Sequence, residues 1–207
     1  MMVTFNDIKN DHEVHVYIEQ ADASLRAIGI TEHSVAHVSK VANDAKDILL
    51  HLGYSKREAE LAQIAGYLHD IGNVVNRADH AQSGAVMSFQ LLKRMEAAPE
   101  DIAVIVSAIG NHDEHTAFPV NSVAAALILA DKTDVRRSRV RNSEIVTFDI
   151  HDRVNFAVEW SEIAISEDKQ NFILKLKIDN KISAVMDYFE IFLGRMLLCR
   201  KAAEKLG

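Results

Sequence analysis

One stretch restricts the fold more than any other. Tyr67-Leu68-His69-Asp70-Ile71-Gly72 closes a run whose apolar residues point in nearly every direction. The run opens at Ser55-Lys56-Arg57-Glu58, a Ser-x-x-Glu pattern in which two side chains satisfy orphan backbone N–H groups at a helix start. Ala59, Leu61, Ala62, Ile64, Ala65 and Leu68 follow, and a helix apolar on all sides is buried. Its last turn carries an imidazole beside a carboxylate, and Gly72 reads as the stop. A carboxylate on a buried helix end is costly unless it is paired or bound to a metal. The chain is therefore expected to fold as helices with metal-ligating groups facing inward.

Composition narrows the class. Two prolines and eight glycines in 207 residues suit long helices around one core, or a core with an appendage. A net charge of −7 argues against general binding of nucleic acid or a membrane surface. The single cysteine, Cys199, allows no intrachain disulfide and fits a reducing compartment. Residues 1–11 lack the basic and apolar regions of a signal peptide. The longest apolar run, 123–130, is too short to cross a bilayer. The expected location is cytoplasmic, with no membrane and no nucleic-acid partner.

Periodicity places the elements. Val14, Tyr17, Ile18, Ala21 and Leu25 share a helical face within residues 1–30. Thr31-Glu32-His33-Ser34 opens a helix reaching Leu52, with His33 and His37 one turn apart. Residues 73–78 read as a polar loop, in which Asn73 is a turn residue. Asp79-His80-Ala81-Gln82 reads as a second capping box, for a helix that reaches about Met95. Pro99, beside Glu100 and Asp101, starts another, which ends at Gly110-Asn111-His112, and Asn121 caps residues 122–133. Past Arg141 the texture changes. Residues 145–150 alternate, and 159–165 and 171–178 read as strands flanking a turn at 166–170; Phe172-Ile173-Leu174 reads as core or a subunit contact. Residues 181–206 return to helical spacing. The expected fold is mainly α: a helical domain over residues 1–142, then a small α/β appendage, a β-hairpin plus helix, over 143–207.

Six residues suit a metal centre: His37, His69, Asp70, His80, His112 and Asp131. Imidazoles mixed with carboxylates suit Mn, Fe, Co, Ni or Zn rather than Ca, with Mg also admissible. Asp131 follows eight apolar residues, so an ionised group there needs a strong partner. Lys132 is its sequence neighbour, but adjacency on a helix does not make the two side chains face each other. A cation is therefore the expected partner of Asp131.

His37-Val38-Ser39-Lys40-Val41-Ala42, His69-Asp70-Ile71-Gly72, His80, His112 and Ala130-Asp131 together resemble the HD-domain superfamily of metal-dependent phosphohydrolases. The likeness covers residues 31–142. It implies that His37, His69, Asp70 and Asp131 hold a first divalent ion. His80 and His112 would hold a second, and Asp70 would bridge the two. His33 competes with His37 for the first position, and the Val41-Ala42 register favours His37. Asn73 stands where many members have lysine, and Asn111-His112-Asp113 is not followed by Gly-Tyr-Pro, so cyclic-dinucleotide hydrolysis is not implied.

The activity the resemblance implies is hydrolysis of a phosphate ester, of a nucleotide or a small phosphorylated metabolite, by a metal-activated water. Asp70 would orient that water. Lys132 and the cluster Arg136, Arg137, Arg139 and Arg141 follow Asp131, and Arg136 and Arg137 are the candidate phosphate ligands. Asp113 or His115 is the candidate general acid. Two other readings stand beside this one. The same ligands could hold a di-iron oxygenase centre, or the domain could sense a nucleotide without turnover. A homodimer through the C-terminal appendage is also expected.

Overall fold

The structure is a computed structural model that describes residues 2–141 and 149–207. Two helices lead in, α1 (Phe5–Lys9) and α2 (His12–Ala27), capped by the Thr4 and Asp11 side chains. Val14, Ile18, Ala21 and Leu25 of the expected face are buried, while Tyr17 is half-buried and donates its hydroxyl to Glu13 at 2.7 Å.

Two long helices form the centre. α3 (Val35–Leu52) is capped by Ser34 and ends at Gly53, whose φ of 91° is open to glycine at little cost. α4 (Lys56–Leu68) has the capping box expected of Ser55 and Glu58, and all of residues 61–68 are buried. The two cross closely at Gly66, where a Cβ would lie 2.8 Å from Ala42 Cα.

Gly72 is not the helix stop that the sequence suggests. α4 has already ended at Leu68, and Gly72 lies in a 3₁₀ turn, Ile71–Val74. Glycine is required there because a Cβ would collide with the His80 carbonyl oxygen and the Gly84 nitrogen of α5 (His80–Arg94). Asp79 does not form the expected capping box either. Its backbone is left-handed, φ 56°, and its side chain caps nothing, whereas side-chain capping needs an extended residue at that position.

α6 (Pro99–Gly110) starts at its proline, and α7 (Ser122–Lys132) is capped by Asn121 accepting from Ala124 N at 2.8 Å. Residues 123–130 of α7 are all buried, as a helix apolar on every side must be. A short 3₁₀ turn, Arg137–Arg139, follows. Of the alternating run at 145–150, residues 145–148 lie outside the described residues. Asp149 caps α8 (Ile150–Ala157), so Ile150 begins a helix and not a strand. β1 (Val158–Ile165) and β2 (Phe172–Ile178) pair antiparallel, Ile163 opposite Leu174, across the expected turn. α9 (Val185–Leu206) closes the chain and packs on α7.

α9 touches two clusters. Leu198, Ala202 and Leu206 join the main core built by α3, α4, α6 and α7, and Phe172 of β2 packs against it. Tyr188 and Phe192 form a smaller cluster with Val135, Val154 and Val158. Among the described residues no helix is long and apolar enough to cross a membrane.

Candidate metal centre

Four buried histidines converge from four elements: His37 on α3, His69 at the end of α4, His80 at the start of α5, and His112 just past α6. Each ring is held from behind. Nδ1 donates to Asp134 Oδ2 at 2.8 Å in His37, to the Gly66 carbonyl at 2.8 Å in His69, to the Arg77 carbonyl at 3.1 Å in His80 and to the Ile109 carbonyl at 2.6 Å in His112. An acceptor behind Nδ1 favours the proton there, so in its neutral form each ring presents the Nε2 lone pair to the centre.

Two carboxylates complete the set. Asp70 Oδ2 lies 3.2 Å from His69 Nε2 and 3.6 Å from His37 Nε2. Its other oxygen, Oδ1, lies 3.5 Å from His80 Nε2 and accepts from Asn73 Nδ2 at 2.9 Å. Asp131 Oδ1 lies 3.5 Å from His37 Nε2 and 3.7 Å from His69 Nε2. His80 Nε2 and His112 Nε2 are 3.3 Å apart. Donors bonded to one cation at about 2.1 Å stand roughly 3.0–3.4 Å apart, so these spacings suit shared ions. The donor atoms of His37, His69 and Asp70 lie within 4.8 Å of one another, as do those of His69, His112 and Asp131, and those of Asp70, His80 and His112.

The electrostatics favour a cation. His37 Nε2, His69 Nε2 and Asp70 Oδ2 are buried without a hydrogen-bond partner, and they face one another. Orphaned groups of this kind cost folding free energy unless something else satisfies them. Burial pushes the Asp70 and Asp131 carboxyls up, yet the neighbouring histidines, and Lys132 in the case of Asp131, hold both well below the usual carboxylate range. Burial, with the charges of His69 and Lys132, depresses His112 to about 3, which keeps its ring neutral. Burial would lower His69, but the Asp70 and Asp131 carboxylates raise it, so a cation bound there would take the place of its proton and leave neutral imidazoles beside ionised carboxylates, the states that bind metals. The donor set fits a divalent transition metal.

A family model described as the HD domain matches residues 35–145, more than half of the chain and the segment that carries all of these donors. The chain belongs to the HD-domain superfamily. An uncharacterized protein of Methanocaldococcus jannaschii is 22% identical over 188 residues, covering 80% of this chain and 72% of the relative. No solved structure gives a significant match.

In this HD domain Asp70, His80, His112 and Asp131 line a cavity of about 250 Å³, while His37 and His69 are buried behind them. Its cationic lining is Arg77, Lys132, Arg139 and Arg195, and α8 contributes His151, Asp152 and Asn155. Lys132 does face Asp131, at 2.7 Å, against the expectation from adjacency: Asp131 keeps Oδ1 for the histidines and gives Oδ2 to the lysine. His33 also lines the cavity, its Nε2 4.0 Å from Asp70 Oδ2, at the edge of the set and not within it.

Arg136 and Arg137 do not line the cavity. Arg136 is drawn to Asp134 at 2.8 Å, and Arg137 donates to the Phe156 carbonyl at 2.6 Å while its guanidinium sits 4.8 Å over the Phe156 ring. Arg139, although it lines the cavity, and Arg141 also tie backbone together. They donate to the carbonyls of Glu32 and Ile30, lacing the segment after α7 to the loop before α3. Asp113 and His115 also fall outside the lining, and His115 is exposed.

Four supporting residues escaped the sequence reading. Asp134 is buried behind His37. Asn73, read as a turn residue, is buried and donates to Asp70. Arg77 and Arg195 reach the cavity from a loop and from α9. Only Asn73 had a local signal, its position three residues after Asp70 at a helix end.

Proposed function

We propose that this HD domain is a metal-dependent phosphohydrolase that cleaves the phosphate ester of a nucleotide or a small phosphorylated metabolite. The observation that carries the proposal is the set of orphaned donors, His37 Nε2, His69 Nε2 and Asp70 Oδ2, beneath a cavity lined by four cationic side chains. His37, His69, Asp70 and Asp131 would hold one ion, and Asp70, His80 and His112 a second. A divalent cation there supplies Lewis acidity, which brings the pKa of a water toward neutrality and offsets charge on a phosphoryl group.

The chain's own residues do the rest. Asp70 spans both groups of donors with its two oxygens, and Asn73 fixes its orientation. Arg77, Lys132 and Arg195 would draw the phosphate in and hold its oxygens. Their charge favours a phosphorylated substrate over the oxygenase reading.

The test is to purify the protein without chelators, measure bound metal by mass spectrometry, and assay nitrophenyl phosphate and nucleoside monophosphates with added Mn. The expectation is bound transition metal and turnover, both lost in Asp70→Ala. Absence of metal together with absence of turnover would overturn the proposal. Tight nucleotide binding without product would point to the sensor reading instead.

A further inference from the structure

α9 carries an apolar face that the other described residues leave exposed. Met186 is 71% exposed, Phe189 46%, Leu193 53% and Leu197 44%. Their spacing, three or four residues at each step, puts them on one side of the helix, opposite Tyr188, Phe192, Leu198 and Ala202, which are buried. A row of large apolar side chains on one helix face, running about 16 Å, is more than the scattered exposure of an ordinary surface.

The charges beside this row are ordered along the helix. Glu190 flanks its N-terminal half, and Arg200 and Lys201 lie just past its C-terminal end. Among the described residues neither Glu190 nor Lys201 takes part in an ion pair, and Arg200 has only a 3.8 Å contact with exposed Glu204. A surface that is acidic at one end and basic at the other is complementary to itself when turned end for end. It repels itself when two copies lie parallel.

We infer that this face is a dimer interface, in which α9 packs antiparallel against α9 of a second copy of the chain around a two-fold axis. A register that sets Leu193 beside the partner's Leu197 sets Glu190 beside the partner's Arg200, and the two-fold repeats both contacts. The helix pair buries Met186, Phe189, Leu193 and Leu197 of both copies and closes two charge pairs at its rims. The proposal is independent of the phosphohydrolase reading, since none of these residues lines the metal cavity.

Sedimentation of the full-length protein at micromolar concentration tests it. The expected particle has twice the chain mass of 23.1 kDa. Leu193→Glu replaces an exposed side chain, so it should keep the wild-type circular dichroism while raising the dimer Kd by about 100-fold. Glu190→Lys should weaken the dimer, and combining it with Arg200→Glu and Lys201→Glu should restore it, which a parallel pair or an unrelated contact would not do. A monomeric wild type would overturn the inference, as would a dimer indifferent to Leu193→Glu. A monomer that binds anionic phospholipid vesicles through this face would overturn it in favour of a lipid surface.

Discussion

Asp134 shows how much of the candidate metal centre lies behind its donors. It is buried, it accepts from His37 Nδ1 at 2.8 Å, and it is itself held by Arg136 at 2.8 Å. Burial alone would push its carboxyl up, but the His37 contact and the charge of Arg139 bring it far below the ordinary range, so it stays a carboxylate. Asp134→Asn leaves the shape unchanged but removes the charge that makes His37 a better donor. We predict that it keeps the fold and lowers affinity for Mn or Zn by about 10–100-fold, measured by competition with a chelating dye. Unchanged affinity would mean that His37 is positioned by packing alone. The candidate donors are legible in the sequence because each sits at a helix end or on an inward face, in the order the family resemblance implies. Asp134 was not, because its contact joins residues 97 positions apart and leaves no local pattern.

At the level of the element, the meeting of the Ile71–Val74 turn with α5 decides where His80 stands relative to His69 and Asp70. Gly72 permits that approach, and Gly84 lies on the other side of it. We predict that Gly72→Ala destabilises the protein by roughly 2–4 kcal/mol, read as a lower urea midpoint, because backbone must move to admit the methyl group. A variant of wild-type stability would show that the turn yields cheaply. The sequence showed the glycine but suggested the wrong purpose, since a helix stop is a local signal and a close approach from a later helix is not. α9 gives a second prediction. Burial raises the Tyr188 hydroxyl and the Cys199 thiol, each to about 12, from ordinary values of 10.0 and 9.0. Between those ordinary values and 12 the unfolded chain releases protons that the folded chain keeps. Stability from these groups is therefore whole below pH 9 and declines as pH rises toward 12. Urea midpoints at pH 8 and pH 10.5 should show the decline, and Cys199→Ala should make it shallower. At pH 8 Cys199 should also react with iodoacetamide far more slowly than free cysteine does.

The whole molecule is tied together by its last helix. The boundary expected near residue 142 was read from a change of texture, and strands do follow it. Yet α9 contributes Leu198, Ala202 and Leu206 to the main core and Tyr188 and Phe192 to the smaller cluster. Texture reports which element forms, not which core it joins. A helix shared by both clusters predicts a single cooperative unfolding transition. The one tryptophan, Trp160 on β1, and the far-UV signal of the helices should give the same urea midpoint. Separate midpoints would show that the hairpin region melts independently. Arg195 and Phe192 of that same helix line the cavity over the His/Asp cluster. On the ribosome, then, every candidate ligand from His37 to Asp131 is made before the helix that closes over them, and a nascent chain holds the whole His/Asp set while that wall of the cavity is still unbuilt.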